Sequence, residues 1–125
     1  MAKTETPITD VVETYVKAVR AGDLALLRSV CADDMELVCR QREGVPTGRL
    51  NGADAIVAYY GQLLKERGGA DPHPGQLMVV GDRVAVEIQA HHGTYIDEVA
   101  DFFTIRNGKI VRLAVYSGPY HNKKP

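Results

Sequence analysis

The sequence predicts an α+β fold, with helices in its first half and an antiparallel sheet in its second. Apolar residues recur at intervals of three and four as far as Leu64, and from Gln76 onward the interval becomes two. The pairs Gly81-Asp82 and Asn107-Gly108 then separate β-rich runs, as tight hairpin turns do. With helices covering one sheet face, the other face must meet solvent or a partner.

Thr6 and Pro7 form an N-cap and first-turn pair. Ile8, Val11, Val12, Tyr15, Val16 and Val19 follow at helical spacing until Gly22. Asp23 caps a second, shorter helix that places Leu26, Leu27 and Val30 on one face and ends near Ala32-Asp33-Asp34. A strand is expected over Met35–Cys39, then a loop over Arg40–Leu50 with a brief strand around Thr47–Leu50. Asn51 opens a third helix, whose stripe is Ile56, Tyr59, Tyr60, Leu63 and Leu64 and whose stop is Gly68-Gly69. Asp71-Pro72-His73-Pro74 reads as a loop. Four strands complete a meander, the second and third joined through His92-Gly93-Thr94, and the tail from His121 is expected to be mobile.

At 125 residues the chain makes one domain, spanning residues 1-125, and a chain this long buries roughly two-thirds of its unfolded surface. A net charge of −1 supplies no field for gathering phosphates, so nucleic acid is not an expected partner. No segment has the roughly 20 apolar residues that span a bilayer, and the first residues carry neither a basic cluster nor a hydrophobic signal core. A cytoplasmic protein is expected, with Cys31 and Cys39 as reduced thiols whose spacing matches no zinc motif. His91 and His92 are adjacent on a strand and point to opposite faces, so they cannot share a metal ion, and no metal is expected.

Alternation sorts the third meander strand into Asp97, Val99, Asp101, Phe103 and Ile105 on one face, and Ile96, Glu98, Ala100, Phe102 and Thr104 on the other. Neither set is wholly polar, so both faces should be covered, one by helices and one by a second subunit. Asp101 stands between Val99 and Phe103, where desolvation raises a carboxyl pKa unless an arginine such as Arg112 or Arg28 pairs with it. The last strand puts Val111, Leu113 and Val115 on its apolar side. Val84, Val86, Ile88 and Ala90 form a similar stripe, leaving Glu87, Gln89 and His91 opposite as a solvated face, a dimer face or a catalytic group.

The ordered set of Tyr15, Ala21-Gly22-Asp23, Ala32-Asp33-Asp34, Asn51-Gly52, Ile56, Tyr59-Tyr60 and Asn107-Gly108-Lys109-Ile110 resembles the ketosteroid isomerase and SnoaL-like branch of the NTF2-like superfamily. The resemblance implies a cystatin-like cone. Three helices would pack on a curved, mainly antiparallel sheet around an apolar pocket, in a chain that is usually a dimer through that sheet. It implies that Tyr15 is an oxyanion donor, that Tyr60 hydrogen-bonds it, and that Asp101 is the family's second acid, a trio that ketosteroid isomerase exemplifies. The position of the family's general base falls on Cys39, followed by Arg40. A thiol of ordinary pKa is mostly protonated at neutral pH, so Cys39 reads as a small pocket-lining hydrophobe and the base must lie elsewhere. Asp101 is the first candidate, as in the resembling SnoaL-like cyclases, and Asp97 and His91 are the second.

One expectation is therefore a cofactor-free enzyme that performs enolate chemistry, isomerisation or cyclisation, on a small apolar carbonyl compound. Tyr15, Asp101, Asp97 and His91 would be its catalytic candidates, and Cys39, Tyr60, Val99, Phe103, Leu113 and Val115 would line the substrate. A second is a non-catalytic module that binds a hydrophobic ligand or dimerises, supported by the missing base and with Tyr15, Tyr60 and Asp101 retained as a core cluster. A third, ranked last, is a water-activating hydrolase built on Asp97, Arg112 and Asp101, whose side chains fall on opposing strand faces.

Overall fold

The computed structural model describes residues 7–39, 48–93 and 95–122. Three helices, α1 (Ile8–Ala21), α2 (Leu24–Ser29) and α3 (Ala53–Arg67), accompany seven strands. The strands are β1 (Cys31–Cys39), β2 (Arg49–Asn51), β3 (Asp71–Pro74), β4 (Met78–Val80), β5 (Arg83–His91), β6 (Tyr95–Arg106) and β7 (Lys109–Asn122). They form one sheet in the order β2-β1-β7-β6-β5-β3, with β4 also paired to β5. Every pairing is antiparallel except β1 with β7.

Local chemistry explains most boundaries. In α1, Val11, Val12, Tyr15, Val16 and Ala18 are buried on one face, and Gly22 closes the helix in the left-handed region. Asp23 Oδ1 accepts the Leu26 N–H at 3.0 Å, a cap worth about 1 kcal/mol, and so starts α2 directly. Between β6 and β7, Asn107 and Gly108 both adopt positive φ, the geometry of a two-residue hairpin turn. Thr6 and most of the predicted loop after Cys39, including Arg40, lie outside the described residues, as does Thr94.

Four expectations are corrected. The second helix stops at Ser29, because Val30 accepts the Ile110 N–H at 2.7 Å and Cys31 pairs with Ile110. The parallel ladder to β7 thus captures Ala32-Asp33-Asp34 as strand, across an irregularity in register before Glu36. Asn51 is the last residue of β2, and α3 begins after Gly52. Asp71-Pro72-His73-Pro74 is a strand rather than a loop. Prolines cannot donate to a ladder, and β3 is an edge where that is tolerated. His121 and Asn122, expected in a tail, continue β7 opposite Ile96 and Tyr95.

Register across the sheet sets the core. Leu37, Leu113, Phe103 and Val84 form one transverse row, and Cys39, Val115, Asp101 and Val86 form the next. All eight are buried, and a single acid thus stands in an otherwise apolar or thiol row. Among the described residues, no helix is long and apolar enough to cross a membrane.

Candidate functional site

Helices α1 and α3 face the second row and leave a partly open cavity of about 80 Å³ against it. The aromatic pair at one end of it comes from helical spacing. Tyr15 lies on the buried stripe of α1 and Tyr60 on that of α3, and their hydroxyls meet at 2.6 Å. The Tyr15 ring packs edge-on against Tyr60 and against Phe103, with centroids 6.0 and 5.2 Å apart. The Tyr59 hydroxyl approaches Cys39 Sγ at 3.9 Å.

The electrostatics of this end are those of a dry site. Burial pushes the Tyr60 phenol well above its ordinary range, and the neighbouring Asp101 charge pushes it further, while the hydrogen bond to Tyr15 opposes both. Smaller upward contributions come from Cys39 and Tyr59. Tyr60 therefore stays a neutral phenol at any physiological pH. Asp101 is 2% exposed. The arginines that the sequence offered as its structural partners are engaged elsewhere: Arg112 donates to Glu36 Oε1 at 3.1 Å, and Arg28 bridges Asp33 and Asp54.

At the other end of the cavity, Asp97 is also 2% exposed, and its Oδ2 accepts from Arg67 Nη1 at 3.2 Å. The Arg67 guanidinium lies 5.8 Å from the centre of the Tyr95 ring. His92 stacks on the same ring at 4.6 Å, with its Nδ1 2.9 Å from the Gly69 carbonyl, which can only accept. Ile88, Ala90, Val99, Leu63 and Leu64 form apolar walls between the two ends. Asp97 and Asp101 are four positions apart on β6, or about 13 Å at the usual rise.

The structure brings Tyr15, Tyr60, Asp101, Asp97, Cys39, Val99 and Val115 to the cavity wall. It does not bring three other predicted residues there. Phe103 and Leu113 sit one row deeper, beneath the cavity floor, because alternation keeps them on the inner face while register moves them below Asp101 and Val115. His91 is on the outer face, its ring 4.4 Å from that of His73, because its neighbour Ala90 points inward. Sequence reasoning missed Arg67 and His92, although both carried a signal. Arg67 continues the three-and-four spacing of Tyr60, Leu63 and Leu64, and His92 continues the alternation of Ile88 and Ala90. Among the described residues, no group of three His, Cys, Asp or Glu side chains is placed to hold a metal ion.

The profile of the SnoaL-like domain family matches residues 12–113. No curated protein matches the sequence. A protein of unknown function with a cystatin-like fold from Xanthomonas campestris superposes with a TM-score of 0.80 at 21% identity, over 91% of this chain and 92% of that one. TerC, co-crystallised with polyporic acid, gives 0.77 at 21% identity over 90% and 92%. A protein from Sinorhizobium meliloti that bears the name polyketide cyclase gives 0.70 at 24% identity over 89% and 100%. At such identities the likeness is one of fold.

Proposed function

The chain belongs to the SnoaL-like family of the NTF2-like superfamily, and from that membership and the geometry of its cavity we propose a cofactor-free enzyme of enolate chemistry acting on a small apolar carbonyl compound. The observation that carries the reading is the 2.6 Å contact between the Tyr15 and Tyr60 hydroxyls inside a cavity whose row of side chains includes Asp101. When Tyr60 donates to Tyr15, the Tyr15 O–H is the donor that would turn to a substrate carbonyl as it binds. Asp101 takes a proton from the carbon beside that carbonyl, and the C–H electron pair becomes the enolate double bond as charge moves to oxygen. Tyr15 stabilises that charge as it develops, which is where a preorganised donor has most effect. Return of the proton at a conjugated carbon completes an isomerisation, and attack of the enolate carbon on a second carbonyl completes a cyclisation.

Asp101 suits the role of base because its carboxyl stands among Val86, Val99 and Val115 on the cavity wall, out of bulk water. Cys39 stays a wall residue. A pocket of about 80 Å³ is small beside the roughly 300–1,000 Å³ of typical ligand sites, so a larger ligand would have to displace the α3 side chains Tyr59, Leu63 and Leu64.

A binding module without chemistry is the second reading, favoured by the thiol at the base position of the resembling isomerases. A shared-water hydrolase is disfavoured, since Arg112 is on the outer face and Asp97 and Asp101 are too far apart to hold one water. Conversion of 3-cyclohexen-1-one to its conjugated isomer, followed by ultraviolet absorbance, separates the first two. Enzyme chemistry predicts turnover that falls in Tyr15→Phe and Asp101→Asn, whereas a folded protein that binds the ketone and leaves it unchanged contradicts it.

The proposed form is a homodimer through the outer sheet face. There Phe102 and Tyr116 are 45% and 49% exposed and pack edge-on at 5.6 Å, flanked by Ala100 and Ala114. Arg83 and Arg112 lie to one side of this patch, and Glu87 and Glu98 to the other. A two-fold axis through the aromatic pair sets each basic end over the partner's acidic end, the self-complementarity that an isologous interface needs.

A further inference from the structure

Arg67 is the feature of the cavity that the proposed chemistry does not use. It ends α3, where a cation is favoured by the helix dipole, yet its side chain turns inward and is 16% exposed. One of its five N–H groups reaches Asp97, at 3.2 Å, and the face of Tyr95 holds the guanidinium plane. The other donors have no hydrogen-bonding partner among the described residues, although the group lines a cavity whose adjoining walls are aliphatic. Asp97 already balances the charge of Arg67. A second anion would therefore leave an excess negative charge in a desolvated place, whereas a neutral oxygen would accept the remaining N–H groups at no such cost.

We infer that Arg67, supported by Asp97, Tyr95 and His92, is a second recognition point for a neutral carbonyl oxygen at the far end of the ligand. The substrate class is thereby narrowed to elongated compounds with two oxygen functions. One would meet Tyr15 and Asp101, and the other would meet Arg67 across the aliphatic walls of Leu63, Leu64 and Val99. This inference rests on the proposed function only in taking the cavity as the substrate site.

Three fluorescent probes test it: 2-naphthol, whose phenol stands in for an enolate, 6-acetyl-2-naphthol, which adds a neutral carbonyl at the far end, and 6-hydroxy-2-naphthoate, which adds an anion there. The acetyl compound is expected to bind at least tenfold more tightly than 2-naphthol, and the carboxylate no more tightly than the acetyl compound. In the double variant Arg67→Met/Asp97→Asn, which leaves no buried charge without its counterpart, the tenfold ratio should collapse toward one. Arg67→Lys, which keeps the charge but not the planar fork, should retain only part of it. Equal binding of 2-naphthol and its acetyl derivative would overturn the inference and leave the proposed chemistry standing. So would a ratio that survives in the double variant, and tightest binding of the carboxylate would mark an anion site instead. If none of the probes binds, the cavity is not the substrate site, and both readings fall.

Discussion

Asp101 and Glu98 stand three residues apart on β6 and carry the same functional group, but they occupy different solvents. Glu98 is on the outer face, partly exposed, with Gln89 donating to it at 3.4 Å. Asp101 is on the inner face, 2% exposed, in a row with Cys39, Val115 and Val86. The adjacent phenylalanines repeat the contrast: Phe103 is 1% exposed against the Tyr15 ring, and Phe102 is 45% exposed. The chemistry of a side chain in this sheet thus depends on the parity of its position, since the inner face is roofed by α1 and α3 and the outer face is not.

Substituting the phenylalanines sharpens that comparison most. Phe103→Ala should destabilise the fold by about 3–5 kcal/mol, while Phe102→Ala should change monomer stability by less than about 0.5 kcal/mol, as read by denaturant unfolding at dissociating concentrations. Similar losses from both would mean that the outer face is also covered within one chain. Tyr15→Phe removes a proposed oxyanion donor and should lower turnover of 3-cyclohexen-1-one by about 10²–10³, with a stability change of only about 1 kcal/mol. A rate loss that merely tracks unfolding would reduce the tyrosine pair to a core contact.

Alkaline pH probes the same dry interior. Burial raises the Cys31 thiol, although Arg28 and Lys109 oppose it, and burial followed by the Asp101 charge raises Tyr60. Both groups hold their protons more tightly folded than unfolded, so the unfolded chain releases protons first and stability falls as pH rises past about 9 to 10. Tyr60→Phe should flatten the upper part of that fall in a series of thermal melts, and an unchanged slope would mean that Tyr60 is reached by water. The smallest effect is expected outside. Glu36 accepts from both Arg49 and Arg112, yet at this exposure Glu36→Gln should cost less than about 1 kcal/mol by denaturant unfolding, and a larger loss would make the outer face more than a solvated surface.

Much of this was legible from period alone. The helical stripes identified Tyr15 and Tyr60, and alternation put Asp97, Val99 and Asp101 on one face before any register was known. What the sequence could not show was depth along the sheet. Parity assigns Phe103 and Asp101 to the same face, but only the pairing of β6 with β7 and of β7 with β1 sets Asp101 level with Cys39 and puts Phe103 beneath it. Residue type also misled. The sequence marked His91 as a candidate because histidine is a common base, although its own parity put it outside. It passed over Arg67, because an arginine in the last turn of a helix usually completes the dipole in solvent. The strand at Asp71–Pro74 was hidden because an edge strand tolerates the prolines that read as a loop.

Removal of a proton from carbon through Asp101 is the chemistry proposed for the buried end of the cavity. Exchange of the α-protons of cyclohexanone for deuterium in D2O, followed by proton NMR, tests this without knowledge of the natural substrate. Exchange catalysed by the wild type, lost at least a hundredfold in a folded Asp101→Asn variant and retained in Glu98→Gln, is the predicted result. Exchange that persists undiminished in folded Asp101→Asn would contradict it.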